Sequence, residues 1–236
     1  MPAKKTYFNW STGKDSALAL YHVLKDKKFN VDYLLTSVNA HHDRVSMHGL
    51  RRTLLEKQID AVGIPYGTLE LPEEPSMEMY ETIMRNCVEE LTKKGFTDAV
   101  FGDIFLEDLR TYREKKLSVC GIQAHFPLWK RNTKDLVHEF IDLGFKAIVI
   151  CTKADFLDKS FCGRELDCNF VADLPSNVDP CGENGEFHTF CYQAPFFKNP
   201  IGFEKGELVY KAYKAPQTDK EHSPEKEMGF WFCDLY

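Results

Sequence analysis

The sequence predicts an α/β protein: a mostly parallel sheet with helices on both faces, followed by a smaller α+β unit. Three observations carry that reading. Apolar runs of strand length alternate with longer segments of helical period through the first half of the chain. The strands are near-continuously apolar, as in a sheet covered on both sides. Polar, glycine-bearing turns fall where strands give way to helices, and right-handed crossovers collect such turns along one edge.

Taken in order, Thr6–Trp10 is the first strand and Ala17–Leu24 lies in the first helix. Val31–Val38 is the second strand. A polar loop, Asn39 to Ser46, carries His41, His42, Asp43 and Arg44. Histidines beside an acid are metal-ligand types, but a solvated loop at a strand end is the simpler reading. Helix is expected from Met47 to Val62, with Leu50, Leu54, Leu55 and Ile59 on one side. Tyr66–Leu71 is the third strand, ended by Pro72, and a long helix runs from Ser76 to Lys94 before Gly95. Asp98–Phe101 is a strand, Glu107–Val119 a helix, and Gln123–Trp129 a short strand and turn. Composition changes near Lys130. Thr133 is expected to cap a helix over Asp135–Ile141, and Lys146–Cys151 to be a strand. Beyond Lys153 the pattern is irregular, with Val209–Ala212 and Gly229–Phe232 as candidate strands. Two units are therefore expected, 1–130 and 131–236. Pro216 to Glu227 reads as an exposed loop by composition.

Charge and cysteine usage narrow the function classes. A formal net charge of −6 argues against a general nucleic-acid coat. No apolar run reaches membrane-spanning length. Met1–Lys5 leads straight into the first strand, which leaves no room for a signal peptide, so a cytoplasmic protein is expected. The eight cysteines contain no Cys-x-x-Cys pair. Cys120 and Cys151 fall in apolar patterns and read as small core residues. Cys162, Cys168 and Cys181 share a polar region, where zinc would need a fourth ligand of suitable spacing. The sequence leaves the oligomeric state open, and a homo-oligomer is compatible with it.

Ser11-Thr12-Gly13-Lys14-Asp15-Ser16 is the most informative turn. It joins a buried strand to a helix start, where free N–H groups and the dipole attract an anion. Gly13 permits the turn and lets a ligand approach the backbone. The hydroxyls and Asp15 are natural N-cap residues, and Lys14 adds a full positive charge. A Walker A loop is excluded: it needs glycine at position 8 and a hydroxyl after the lysine, where Phe8 and Asp15 stand. Gly102 and Asp103 end a later strand at the same edge. Asp103 is suited to bind magnesium, to hold a ribose hydroxyl or to cap the next helix, and its edge favours a site role. Arg110 and Arg113, near the start of that helix, are placed to reach inward. The third stretch, Asp179 to Phe190, gathers Glu183, Asn184, Glu186 and His188 between glycines, a costly set of polar groups to desolvate without partners.

The Ser-x-Gly-Lys-Asp-Ser loop resembles that of the PP-loop ATP pyrophosphatases. With Phe-Gly-Asp-Ile at 101–104, Phe-Pro-Leu-Trp at 126–129 and Asp-Pro-Cys-Gly-Glu-Asn-Gly-Glu-Phe-His-Thr at 179–189, the chain resembles the diphthine–ammonia ligase family up to about Phe197. The resemblance implies a HUP-type, Rossmann-like ATP-binding domain over 1–130 and a smaller substrate domain over 131–236. It also implies ATP-dependent amidation of diphthine on elongation factor 2, consuming ammonium and releasing AMP and pyrophosphate. In that scheme Ser11, Thr12, Gly13, Lys14, Asp15, Ser16, Gly102 and Asp103 bind ATP, with Mg2+ at Asp15 and Asp103. Arg110, Arg113, Trp129 and Asn184 face substrate. Lys14, Glu183, Glu186 and His188 are the catalytic candidates, with Glu186 favoured for ammonium.

Two departures stand out. Thr12 occupies the place of a glycine, and the further C-terminal domains of eukaryotic members are missing, as in the short form. Short forms also occur in bacteria, which make no diphthamide, so another carboxylate stays open as substrate. Two other classes fit the loop less well: a tRNA-thiolating PP-loop enzyme, which needs paired cysteines, and an ATP-binding sensor, which needs no second polar set.

Overall fold

The computed structural model describes residues 4–214 and 227–236. The exposed loop expected over 216–227 lies outside the described residues, apart from Glu227, which begins a strand.

The first sheet is built from β1 (Lys4–Asn9), β2 (Phe29–Asn39), β4 (Tyr66–Leu71), β5 (Asp98–Val100) and β6 (Gln123–His125), with a two-residue β3 (Arg44–Val45). Its parallel strands run in the order β4-β2-β1-β5-β6, and β3 adds an antiparallel pair at the end of β2. The order reverses between β1 and β5, the switch point at which ligands bind in open α/β sheets. Helices α1 (Lys14–Lys25), α2 (Arg52–Val62), α3 (Met77–Lys93) and α4 (Glu107–Val119) make the crossovers. Alternation along the strands sorts the two faces. Phe8, Leu34 and Val100 pack with α1 and α2, whereas Tyr7, Leu35 and Ala99 pack with Val88 and Leu91 of α3 and Leu117 of α4. Both faces are thereby covered, which explains the continuous apolar strands.

Helix α5 (Thr133–Asp142) leads into a second, antiparallel sheet of β7 (Lys146–Lys153), β8 (Phe187–Gln193), β9 (Lys205–Lys214) and β10 (Glu227–Leu235), in the order β8-β7-β10-β9. A short α6 (Cys168–Asp173) lies between β7 and β8. One hydrophobic core joins the two sheets, running from Phe8 and Leu54 through Phe140 and Ile148 to Phe190 and Leu235.

Three local expectations are corrected. The helix expected from Met47 begins at Arg52, because Met47 and Gly49 take left-handed φ of 65° and 70° and the Val45 N–H donates to the Leu50 carbonyl in a tight turn. The cap of α5 is Asn132, whose side chain accepts from the Asp135 N–H, and Thr133 is the first helical residue. At α1 the N-cap is Gly13 with no side-chain cap. The Ser16 hydroxyl instead bonds back to the Gly13 carbonyl, and Asp15 turns to Lys14. Among the described residues no helix is long and apolar enough to cross a membrane.

Candidate active site

The loop from Ser11 to Ser16 leaves β1 at the switch point and is clamped from three sides. Thr12, fully buried, sits at φ 72°, a conformation costly for a β-branched residue. Its carbonyl accepts from the Cys191 N–H at 2.9 Å and from Gln58 Nε2 at 3.0 Å. Gln58 also donates to the Cys191 carbonyl and accepts from Trp10 Nε1, so α2, β8 and the end of β1 hold the strained residue together. The Lys14 N–H donates to Thr189 Oγ1 at 3.0 Å. A Cβ on Gly13 would lie 3.1 Å from the His48 ring and 3.2 Å from the Thr189 carbonyl, a tight fit that favours glycine.

The Gly102 turn presses on the same place. A Cβ there would meet the Ser16 nitrogen at 3.0 Å and the Asp15 carbonyl carbon at 3.1 Å. Asp103 therefore stands beside Asp15. Burial pushes its carboxyl upward, the Asp15 charge adds to this, and Arg113 opposes it. Arg113 Nη2 donates to Asp103 Oδ1 at 3.4 Å, while Arg113 Nε lies 3.2 Å from Asp103 Oδ2 without an aligned hydrogen bond. The buried Oδ2, which makes no hydrogen bond and stands beside a second carboxylate, fits a hard divalent cation such as Mg2+. Arg113 reaches inward over the Phe101 ring, at 4.3 Å. Arg110 lies over the Trp129 and Phe126 rings at 4.6 and 5.1 Å and bonds Glu114, so it forms a rim.

Lys14 is 4% exposed. Its Nζ bonds Asp15 Oδ2 at 2.6 Å and the Cys181 carbonyl, and lies 5.3 Å from the Phe187 ring centre. Burial works against its charge, but the nearby acids, Asp15 first, outweigh this and raise its pKa. Asp15 itself is pushed up by burial, against the pull of Lys14.

The 179–188 loop supplies the rest. Glu186, 1% exposed, accepts from the Asp179 N–H, the Asn184 N–H and the Asn184 amide, so both of its oxygens are engaged within its own loop. Asp179 Oδ1 in turn accepts from the Cys181 and Glu183 N–H groups. Asn184 is exposed at the loop's tip. Glu183 points to the Gly102 turn, where it accepts from the Ile104 N–H at 2.7 Å. Burial, helped by the Asp15 charge, raises its pKa to about 7. His188 stacks on His48 with ring centres 4.8 Å apart. Burial and then Lys14 lower the His188 pKa to about 4, and His48 is also driven well below its ordinary value.

The loop, the Gly102 turn and the 179–188 stretch therefore converge, as the sequence suggests. Sequence reading missed Gln58 and His48, which sit within a segment read as helix; a lone glutamine among Leu54, Leu55 and Ile59 was the available signal for Gln58. Cys162, Cys168 and Cys181 are not brought together. The group of His, Cys, Asp and Glu close enough to share an ion, among the described residues, is the exposed trio His41, His42 and Glu73.

Fold and site together define a doubly wound α/β protein with a glycine- and lysine-bearing loop at its switch point and a polar loop from the second sheet packed against it. The chain belongs to the diphthamide synthase family: the model of the diphthamide synthase N-terminal domain matches residues 4–124, and that of the C-terminal domain matches 132–218. It is 28% identical over 178 residues to the diphthine–ammonia ligase of Bos taurus, covering 73% of this chain and 64% of that protein. It is 36% identical over 100 residues to that of Homo sapiens, covering 39% of this chain and 38% of that protein. The chain thus matches less than two thirds of the length of these relatives.

Proposed function

We propose that the protein is an ATP-dependent amide ligase that joins ammonia to a substrate carboxylate, the activity named for its relatives, with diphthine on elongation factor 2 as the first substrate to test. The carrying observation is Glu183: a half-buried carboxyl that accepts from the Ile104 N–H at 2.7 Å, with a pKa raised to about 7, in the field of Asp15 and Lys14.

In this reading the loop N–H groups of 11–16 and Lys14 hold the phosphates of ATP, and the 131–236 unit contributes to the substrate side. A carboxylate oxygen of the substrate attacks the α phosphorus, the α–β bridging bond breaks, and pyrophosphate leaves with its charge countered by Lys14. Asp15 and Asp103 would hold Mg2+, which when bound supplies phosphate charge neutralisation. Ammonium must lose a proton before its nitrogen can attack the acyl carbon and expel AMP. Of the three candidate bases, Glu186 has both oxygens engaged and His188 is too weakly basic at neutral pH. Glu183, whose pKa is raised to about 7, takes the proton. Glu186 then serves to hold the loop in shape.

The test separates products of ATP incubated with ammonium, with and without diphthine-bearing elongation factor 2. AMP and pyrophosphate formed only with the protein substrate support the full reading. AMP formed with other carboxylates keeps the chemistry and changes the substrate. ADP and phosphate would refute α–β cleavage.

A further inference from the structure

We propose that the place filled by the Lys14 ammonium head is itself the site for the ammonium substrate, taken by that ion when the triphosphate draws Lys14 onto the phosphates. The inference rests on the amide-ligase reading and deepens it by assigning where the second small substrate binds and in what order.

The surroundings of Lys14 Nζ are those a free ammonium ion requires. One carbonyl, from Cys181, and one carboxylate oxygen, Asp15 Oδ2, accept its N–H groups, and the Phe187 face lies 5.3 Å away. Ammonium has donors alone, so carbonyl and carboxylate acceptors with an aromatic face suit it. A divalent metal would instead need a shell of oxygen ligands, which a ring cannot supply. Glu183 lies within the same field, since its charge acts on Lys14.

The pocket is also built to keep its shape without the lysine. Gly182, at φ 68°, packs so tightly on Phe187 that a Cβ would lie 2.9 Å from the ring. The Cys181 and Glu183 N–H groups are held by Asp179, and the Asp179 N–H is held by Glu186. The carbonyl, the ring and the base therefore stay in register through contacts that do not involve Lys14.

Lys14 cannot serve both places. Its head is held by Asp15 Oδ2 and the Cys181 carbonyl, acceptors it must leave to bind phosphate. A triphosphate carries more negative charge than this set and competes for it. Nucleotide and ammonium should then bind with positive coupling, which by linkage is reciprocal. Ammonia would be withheld until a carboxylate can be activated.

Two measurements on the full chain test this. Lys14→Ala removes the head and opens the pocket without nucleotide. Ammonium chloride should raise the melting temperature of Lys14→Ala by about 3 °C at concentrations well above its dissociation constant. Tetramethylammonium chloride at equal ionic strength should not, and the wild type should not respond. Equal shifts with both salts, or in both proteins, would overturn the pocket. The second measurement needs no change at Lys14: the affinity of wild-type protein for α,β-methylene-ATP is titrated with and without ammonium. Ammonium should tighten it about tenfold, and Phe187→Leu should remove most of that gain. If the analogue binds and ammonium has no effect, the pocket fails and the nucleotide site stands. If the analogue does not bind, the ligase reading fails, and the response of Lys14→Ala still decides the pocket.

Discussion

Glu183 keeps a proton into the neutral range because its carboxyl is partly desolvated and lies in the field of Asp15, with the Ile104 N–H pulling the other way. Glu183→Gln keeps an acceptor for that N–H and removes the titration. Amide formation should fall by about 10²- to 10⁴-fold, and should fall further than ATP–pyrophosphate exchange, since deprotonation of ammonium comes after adenylation. Parallel loss of both activities would remove Glu183 from the role of base. Stability gives a second readout. Below the ordinary carboxyl value of 4.5, Glu183 is protonated in folded and unfolded chains alike. As pH rises from 4.5 through about 7, the unfolded chain releases its proton first, so wild-type stability is lost over that window. Glu183→Gln lacks this dependence, so its melting temperature should gain on the wild type between pH 5 and pH 8. At this scale the sequence reveals which residue types gather at 183–188 but not which carboxylate is engaged. Glu186 and Glu183 are three residues apart and chemically alike, and only the fold aims one at its own loop and the other at Ile104. The left-handed Thr12 is equally hidden, because its conformation is imposed by Gln58 and Cys191, which are distant in the chain.

The elements around the site were largely readable, because strand and helix periods differ and glycine marks the turns between them. The missed start of α2 shows the limit. Leu50 is buried as the helical pattern suggests, but it is presented by a tight turn through Met47 and Gly49. A one-residue difference at Asn132 and Thr133 has a similar origin, since both side chains are able caps. Gly102 shows a glycine required by packing between elements. In Gly102→Ala the new Cβ would press on backbone of the α1 start, 3.0 Å from the Ser16 nitrogen, where no side chain can yield. The substitution should cost about 1–3 kcal/mol in urea unfolding and weaken nucleotide binding by displacing the loop. Gly202→Ala, whose Cβ meets nothing within 4 Å, is the control and should stay within about 0.5 kcal/mol of wild type. Equal effects would show that the close approach at Gly102 is not what fixes the loop.

Across the whole molecule, the site exists because two sheets share a core, and that union was not legible in the sequence: its contacts join residues more than a hundred positions apart. Asp234, at the end of β10, is the polar counterpart of the shared core. It accepts from Arg44 Nη1 at 2.9 Å, Arg51 Nε at 3.1 Å and Arg51 Nη2 at 2.5 Å, fastening the second sheet to the 44–51 turn. The same turn carries His48 against Gly13 and His188. Hydrogen bonds from the two arginines, Arg51 first, hold the Asp234 carboxyl at a pKa of about 2, against an ordinary 3.8. A lowered value means that the latch contributes fully above pH 3.8 and is lost as pH falls toward 2. Asp234→Asn should therefore cost about 1–2 kcal/mol at pH 7, after discounting for partial exposure, and less at pH 3. Because the latch sets where His48 packs, the same change should weaken α,β-methylene-ATP binding at pH 7, although the Asp234 carboxylate's hydrogen bonds go to Arg44, Arg51 and Leu235 and not to the 11–16 loop. Urea unfolding at both pH values, with analogue titration at pH 7, checks the two effects together. A stability loss that leaves analogue affinity unchanged would mean that the latch holds the sheets together without shaping the site.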